Sequence, residues 1–400
     1  MPSSSETATT TTNTSLKAGI FMMPAHAPDR PLAEAQNWDL SVLTAADRMG
    51  FSEGWVGEHF TSPWEPNPAP DLLLAQAFRE TENIKLGPGT HLVPFHHPAE
   101  LALRLAYMDH LSGGRLQVGL GPGSVPSDHA TFGVDGKSGQ HLEMFHEGLE
   151  IILKYWNERE PWRFEGKYWT CERVARDFMA DGRLGQFLEP MQTPHPRIAM
   201  AGASPNSETL RMCGRRGFIP LSLNMHPRFV SQHFDTYAAG AAEGGRVADR
   251  RDWRILKEVF VAETDAEARK LATSGFVERF FNEFWLPIYG KNGRLLSMHK
   301  HDDSVADEDV TLDYLIDTSW IVGSVETAID KLQALYDQSG GFGTIMMLSR
   351  DYQDAPEAWF NSMELFVNEV LPKIKTHDGE PIQVATEASD AASLVGAGES

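Results

Sequence analysis

The sequence predicts an α/β protein built as a single TIM-type (β/α)8 barrel with long loop insertions and disordered termini. Short apolar runs alternate with stretches of helical spacing along most of the chain. With 400 residues, 41% of them hydrophobic and 23% charged, the chain can bury one barrel-sized core. Repeated strand–helix alternation favours a closed parallel barrel over a doubly wound open sheet.

The apolar runs define the predicted elements in order. Strands are predicted at residues 17–24, 51–58, 84–93, 116–120, 197–201, 218–223, 253–261 and 343–348, and helices at 33–49, 71–81, 98–110 and 324–338. Segments 121–140, 162–195 and 281–311, which are rich in Gly, Pro or aromatic residues, are predicted to be functional loops. Residues 1–16 and 376–400 are small and polar, so we expect disordered extensions on either side of a barrel at 17–375.

Composition excludes several classes of function. A formal net charge of -21 opposes binding to the phosphate backbone of nucleic acids. No apolar run approaches the roughly 20 residues that span a bilayer, and the first residues lack the pattern of a signal peptide. Cys171 and Cys213 lie in unrelated segments, which argues against a disulfide framework. We therefore expect a cytoplasmic protein without nucleic-acid or membrane partners.

A histidine and an aspartate are candidate catalytic residues. His59 follows the second predicted strand, where a barrel would place its imidazole at the catalytic mouth. A histidine hydrogen-bonded beneath a loop is the alternative interpretation. Asp128 lies in the predicted loop after the fourth strand, where an isolated carboxylate more often forms a turn or cap.

The run GLGPG at residues 119–123 is a glycine-rich turn at the end of a predicted strand. It lacks the third glycine of a dinucleotide-binding fingerprint, and Pro122 and Pro126 disfavour an immediate helix start. The turn either lets the backbone approach a flat ligand closely or is ordinary loop geometry.

Residues 201–209, AGASPNSET, follow a strand and open a helix. Their hydroxyls and free backbone N–H groups suit an anion, although an ordinary N-cap explains the same residues equally well. Neither His96 and His97 nor the set of His299, His301 and Asp302 has the spacing of metal ligands, so no metal site is predicted.

Taken together, residues 17–375 resemble the bacterial luciferase-like flavin-dependent monooxygenases. The resemblance rests on WVGEH at 55–59, LGPGT within 84–98, MDHLSGGR at 108–115 and the stretch from 194 to 209. Luciferase has a cysteine and an arginine where this chain has Gly121 and Pro122, so light emission is not expected. The loop at 121–128 is more similar to the limonene monooxygenase-like subgroup.

The resemblance implies the function and the cofactor. A separate NAD(P)H:flavin reductase would supply reduced FMN, and the barrel would use O2 to insert one oxygen atom into a small hydrophobic substrate, either terpene-like, a ketone or aromatic. A homodimer is also implied. The alternatives are a deazaflavin-dependent oxidoreductase of the same fold and a non-catalytic partner subunit.

The resemblance also assigns the site. The implied catalytic residues are His59 and Asp128, and the implied flavin-binding residues are Gly89, Thr90, Gly121, Ser204, Ser207 and Thr209. We expect aromatic side chains of the long loops to shield the reacting flavin from water, namely Trp64, Trp162, Trp169, Phe281 and Trp285.

Overall fold

The computed structural model describes residues 16–179, 183–291 and 293–376. Its strands are β1 (Lys17–Met22), β2 (Glu53–Val56), β3 (Lys85–Pro88), β4 (His91–Leu92), β5 (Val118–Gly121), β6 (Trp162–Glu165), β7 (Thr170–Arg173), β8 (Ile198–Gly202), β9 (Ile219–Ser222), β10 (Arg254–Lys257), β11 (Val259–Val261), β12 (Ile321–Gly323) and β13 (Thr344–Ser349).

Helices connect these strands. They are α1 (Leu32–Arg48), α2 (Pro70–Glu80), α3 (Pro98–Leu111), α4 (Pro126–Thr131), α5 (Gln140–Asn157), α6 (Glu208–Arg216), α7 (Pro227–Glu243), α8 (Asp265–Ala272), α9 (Phe276–Phe280), α10 (Leu286–Lys291), α11 (Gly293–Ser297), α12 (Leu312–Thr318), α13 (Val325–Ser339) and α14 (Pro356–Leu365).

The main sheet is parallel and closes into a barrel. Its strand order is β3-β2-β1-β13-β10-β9-β8-β5-β4. The ring is completed where the Leu86 N–H donates to the Arg115 carbonyl and the Gln117 N–H donates to the Leu86 carbonyl, at 3.1 and 2.9 Å. Because β3 and β4 are two parts of the predicted third strand, the barrel has eight strand positions, and the predicted (β/α)8 fold is confirmed.

Alternation along the strands produces two apolar cores, because successive side chains point to opposite faces. One face packs against the surrounding helices, as Ile20 and Ile345 do. The other face fills the barrel interior with Phe21, Trp55, Ala199, Ile219, Leu221, Leu256, Met346 and Leu348. The barrel is therefore a packed core, and the space for a ligand lies at its mouth.

Three segments predicted as loops contain regular structure. Helix α4 begins at Pro126, which is tolerated in a first turn because that N–H needs no helical partner, so the expectation that Pro126 disfavours a helix there is wrong. Strands β6 and β7 form an antiparallel hairpin within 162–195. The segment 281–311 contains α10 and α11, and its His299 is only 4% exposed.

Most of the two predicted extensions, residues 1–15 and 377–400, lies outside the described residues. Leu16 is described and is buried in the helix-facing core. Both cysteines are free thiols. Within the described ranges, every helix is too short or too polar to cross a bilayer.

Candidate active site

His59 lies in a compact loop that follows β2. The Asn67 side-chain amide donates to the Gly57 carbonyl at 2.8 Å, and the His59 N–H donates to the Asn67 carbonyl at 3.0 Å. The imidazole is largely buried, with Nε2 3.7 Å from Glu65 Oε2. Its Nδ1 is buried without a hydrogen-bond partner among the described residues. One ring nitrogen is thus paired and the other is free.

Asp128 lies in the first turn of α4 and is fully buried. Thr61 Oγ1 donates to Asp128 Oδ1 at 2.5 Å, and the Thr61 and Ser127 hydroxyls are 2.6 Å apart. Asp128 Oδ2 is buried and has no hydrogen-bond partner in the part of the chain that the structure describes. The two predicted catalytic residues are therefore linked, because Thr61 belongs to the loop that carries His59.

The predicted flavin-binding residues at the ends of β3 and β5 are in contact. A Cβ added at Gly121 would lie 2.5 Å from Thr90 Oγ1, and one at Gly119 would lie 2.3 Å from the Pro88 carbonyl oxygen. Gly89 and Thr90 are joined by a cis peptide bond. Glycines are needed at 119 and 121 because the end of β3, including the Thr90 side chain, packs directly against β5.

The turn before α6 holds the remaining predicted flavin contacts. Ser207 is the N-cap and accepts from the Leu210 N–H, which is the ordinary structural role considered for it. Its hydroxyl lies 2.6 Å from Thr209 Oγ1, which donates to the Ala201 carbonyl at 2.9 Å. The Ser207 cap satisfies only one N–H group of α6. The other N–H groups of the first turn stay available to bind an anion.

A buried histidine supports the same turn. His233 Nε2 lies 2.8 Å from the Ser204 carbonyl oxygen, and its Nδ1 lies 2.8 Å from Ser222 Oγ. Burial lowers the pKa of His233 to about 4, so the ring is neutral near pH 7 and donates Nε2–H to the carbonyl. This support could not be read from the sequence, because His233 is 29 residues from Ser204.

These predicted residues occupy four consecutive positions of the barrel. Around the ring, β2 is followed by β3, β5 and β8. His59 follows β2, Gly89 and Thr90 follow β3, Gly121 ends β5, and Ser204 follows β8. The structure thus brings the candidates together on one side of the mouth, and their catalytic and binding roles stay predictions.

A buried ion-pair network beside His59 was missed by the sequence analysis. His91 Nδ1 lies 3.0 Å from Glu58 Oε1 and its Nε2 lies 2.7 Å from Asp71 Oδ1. His96 Nε2 lies 3.0 Å from the same Glu58 oxygen. Burial disfavours the charged ring, yet the two carboxylates raise the pKa of His91 to about 9. Burial also disfavours the Glu58 carboxylate, but His91 and His96 lower its pKa to about 2.

Ligand atoms of Glu58, His91 and His96 lie within 4.8 Å of one another, a separation that could hold a metal ion. Each of these atoms already takes part in a hydrogen bond, and a protonated His91 balances the charge of one carboxylate. The hydrogen bonds and ion pairs therefore explain this cluster without a metal ion. They hold Glu58, the residue that precedes His59, in place.

Aromatic side chains cover the mouth near His59. Trp64 packs against Phe280 and Phe284, with ring centroids 5.9 Å apart in each pair. Trp285 stacks on Tyr289 at 4.3 Å and meets His299 edge-on at 4.9 Å. We call the segment from Phe276 to Lys291 that carries most of these rings the aromatic cover.

Only part of the predicted shield lies in this cover. Phe281 stacks on Trp285 at 5.0 Å but is itself buried in the helix-facing core. Trp162 packs on Tyr155 of α5, with centroids 4.7 Å apart. Trp169 lies against Gly148 of the same helix. The expectation for Trp162 and Trp169 is wrong, because the hairpin that carries them packs along α5.

The profile of the luciferase-like monooxygenase family matches residues 16–341. The chain belongs to this family. It is 32% identical over 374 residues to 3,6-diketocamphane 1,6-monooxygenase of Pseudomonas putida, covering 90% of this chain and 98% of the relative. It is 29% identical to limonene 1,2-monooxygenase of Rhodococcus erythropolis, covering 88% and 85%.

A solved structure extends the likeness to three dimensions. The oxygenating constituent of the P. putida 3,6-diketocamphane monooxygenase, a type II Baeyer–Villiger monooxygenase in complex with FMN, superposes with a TM-score of 0.85. It is 32% identical, and the match covers 91% of this chain and all of that one. The predicted family, subgroup and class of flavin-dependent monooxygenase are confirmed, and the predicted cofactor is the one bound there.

Proposed function

We propose that this chain is the oxygenase component of a two-component system and converts a compact cyclic ketone into a lactone with reduced FMN and O2. The observation that carries the proposal is the close packing of Gly121 against Thr90 at the ends of β5 and β3, flanked by His59 on one side and the α6 turn on the other. The diketocamphane monooxygenases support the choice of a ketone, since their names state that they act on bicyclic diketones.

The residues present fit a flavin. A planar ring system can lie against strand ends that carry no large side chains, and at the end of β5 Gly121 leaves only the small Thr90 side chain beside it. Ser204, Ser207 and Thr209 would hold the phosphate, since the N-terminal end of α6 carries free N–H groups and a positive partial charge. Bound reduced flavin supplies the electrons that activate oxygen.

The chain's own side chains would manage protons and exclude water. His59 Nδ1 and Asp128 Oδ2 are buried polar atoms that lack partners among the described residues, as expected for groups completed by a ligand. His59 would take or return a proton at Nδ1, and Asp128 would hold the His59 loop through Thr61. The aromatic cover would keep solvent from the reaction.

Single-turnover chemistry tests this proposal. Purified protein receives chemically reduced FMN, air and a panel of a bicyclic ketone, a monocyclic terpene and a simple aromatic compound, and products are analysed by mass. We expect the ketone to gain one oxygen atom. Consumption of substrate without oxygen uptake, and only with a deazaflavin, would instead support the hydride-transferring alternative, and failure to bind reduced FMN would support a non-catalytic subunit.

Alanine substitutions at two histidines, one in the site and one outside it, provide the matched variants. His59→Ala should keep FMN affinity and lose oxygenation by roughly 100-fold or more, which is the usual contribution of a positioned acid–base group. His97→Ala, at an exposed histidine, should behave as the unchanged chain. Equal turnover in both variants would remove His59 from its assigned role.

Assembly and location are further parts of the proposal. Leu72 of α2 is 66% exposed, and Tyr107 and Leu111 of the neighbouring α3 are 57% and 47% exposed, an apolar face suited to a homodimer. Light scattering should give twice the chain mass, and Tyr107→Glu should give the monomer. A cytoplasmic location, where a flavin reductase has NAD(P)H, would be tested by cell fractionation.

A further inference from the structure

We propose that Glu65 is a positioning residue that keeps the proton of neutral His59 on Nε2 and leaves Nδ1 as the atom that faces the ligand. Glu65 Oε2 lies 3.7 Å from His59 Nε2, and Glu65 is 9% exposed. At 3.7 Å the contact is longer than a hydrogen bond, and the negative charge of a carboxylate favours the tautomer with a proton on the nearer nitrogen. The unpartnered Nδ1 is then the acceptor.

The loop backbone fixes Glu65 in this place. The Asn67 N–H donates to the Glu65 carbonyl at 2.9 Å, while the His26 N–H donates to the carbonyl of the preceding Trp64 at 2.9 Å. Asn67 also receives the His59 N–H, so the histidine and the carboxylate belong to one hydrogen-bonded turn. Their relative position is therefore built into the loop.

The charged groups around Glu65 favour an interaction of its carboxylate with His59. Within the described residues, His59 is the sole cation-forming group within 4 Å of the Glu65 carboxylate. Arg350, the other charged group that acts on Tyr289, is already paired with Glu258. Tyr289 of the aromatic cover is close enough that, after burial, the Glu65 charge is the next cause of its raised pKa. Glu65 thus lies between the imidazole and the cover.

The first test needs neither flavin nor substrate. Side-chain ¹⁵N NMR of the full-length, flavin-free protein distinguishes the two histidine tautomers, and His59→Ala identifies the His59 signals. In the unchanged chain we expect the Nε2–H tautomer, and in Glu65→Gln a mixture with a clear fraction of Nδ1–H. Glu80→Gln, at an exposed glutamate, should leave the signals unchanged. A His59 tautomer that is identical with and without the Glu65 carboxylate overturns the proposal.

The second test is a kinetic double-mutant cycle, and it rests on the proposed oxygenase function. Glu65→Gln should lower product formed per reduced FMN by about tenfold with unchanged KM and FMN affinity, as part of what a positioned base contributes. In the His59→Ala background the same change should have no further effect, because Glu65 acts through His59. Additive losses would assign Glu65 a separate role and overturn the proposal.

The proposed function and the proposed role of Glu65 can be contradicted independently. If no ketone is oxygenated, the proposed function fails, while the NMR result on the flavin-free chain still decides the role of Glu65. Glu65→Asp, which keeps the charge, should retain the Nε2–H tautomer, whereas a purely structural role of the side chain would make Glu65→Asp and Glu65→Gln equivalent.

Discussion

Arg254 forms a two-point ion pair with Glu53 inside the barrel. The Nε–Oε1 and Nη2–Oε2 distances are 2.9 and 2.8 Å, although the residues are 201 positions apart in sequence. Glu53 begins β2 and Arg254 begins β10, so the pair lies at the end of the barrel opposite the mouth. Both residues are buried, and Glu53 also accepts from the Trp55 indole at 3.1 Å.

Breaking this pair should destabilise the fold strongly. We expect Glu53→Gln to lower the free energy of unfolding by about 3–5 kcal/mol, because it leaves the buried guanidinium without its counter-charge. The double change Glu53→Leu with Arg254→Met should lose less than either single change, since no buried charge stays unpaired. Urea unfolding followed by circular dichroism measures both. A loss below about 1 kcal/mol in Glu53→Gln would contradict the prediction.

The network around His91 should make stability fall at alkaline pH. The pKa of His91 is raised from 6.5 to about 9 on folding, so its contribution is complete below pH 6.5 and is lost as pH rises through 9. Between these values the free energy of unfolding should decrease by at most about 1.4 kcal/mol per pH unit for this group. Unfolding curves at pH 6, 7.5 and 9 measure this slope.

Two variants test whether His91 causes the decrease in the free energy of unfolding at alkaline pH. His91→Gln should be less stable at pH 6 and have a smaller decrease toward pH 9. His97→Gln, at the exposed histidine, should keep the full slope. His26, whose pKa is also raised to about 9 by Asp351 and Asp39 despite burial, contributes in the same window, so some slope should remain in His91→Gln. An unchanged slope in His91→Gln would contradict the assignment.

The close approach of Gly121 and Thr90 allows a test of flavin binding. Gly121→Ala places a Cβ 2.5 Å from Thr90 Oγ1, and should weaken FMN binding by about 10-fold or more, equivalent to roughly 1.4 kcal/mol. Adding Thr90→Ala removes the hydroxyl that clashes. If the glycine is needed only for packing, the double variant should bind FMN as Thr90→Ala alone does, whereas weaker binding than in Thr90→Ala, measured by flavin fluorescence, would indicate that the ligand itself requires the space.

The aromatic cover should control coupling between flavin oxidation and product formation. Trp64→Leu removes the ring that packs on Phe280 and Phe284, so water should reach the reacting flavin and more hydrogen peroxide should be released per product. Trp162→Leu is the matched control, because that ring packs on α5. The ratio of peroxide to product measures coupling, and equal ratios in the two variants would show that Trp64 is not part of the barrier.

The barrel could be predicted because each strand is a short apolar run followed by helical spacing. Helix α13 illustrates this: Ser324 caps its start and Gly340, with φ 73°, ends it, so both boundaries are marked in the sequence. The hairpin β6–β7 also carried a signal, the alternation of WRFE and TCER, but the aromatic content of the segment was interpreted as loop. The helical spacing of Phe280, Phe284 and Ile288 was missed in the same way.

The site could be predicted only in part. His59 follows β2 and Gly121 is the last residue of β5, so topology alone brings them to the mouth. The partners of His59 could not be predicted in the same way, because Glu65 approaches it through a loop conformation and Asp128 through Thr61. The His91 network joins residues 20 to 38 positions apart whose burial and charge depend on tertiary packing, for which the sequence has no periodic signal.

The aromatic cover is a continuous stretch of chain that adds no strand to the main sheet. Its replacement would therefore leave the hydrogen-bond ladder of the barrel intact, while changing the shape and chemistry presented to whatever enters. If the cover contacts the substrate, replacing this one stretch would change substrate preference while the strand order of the barrel is kept.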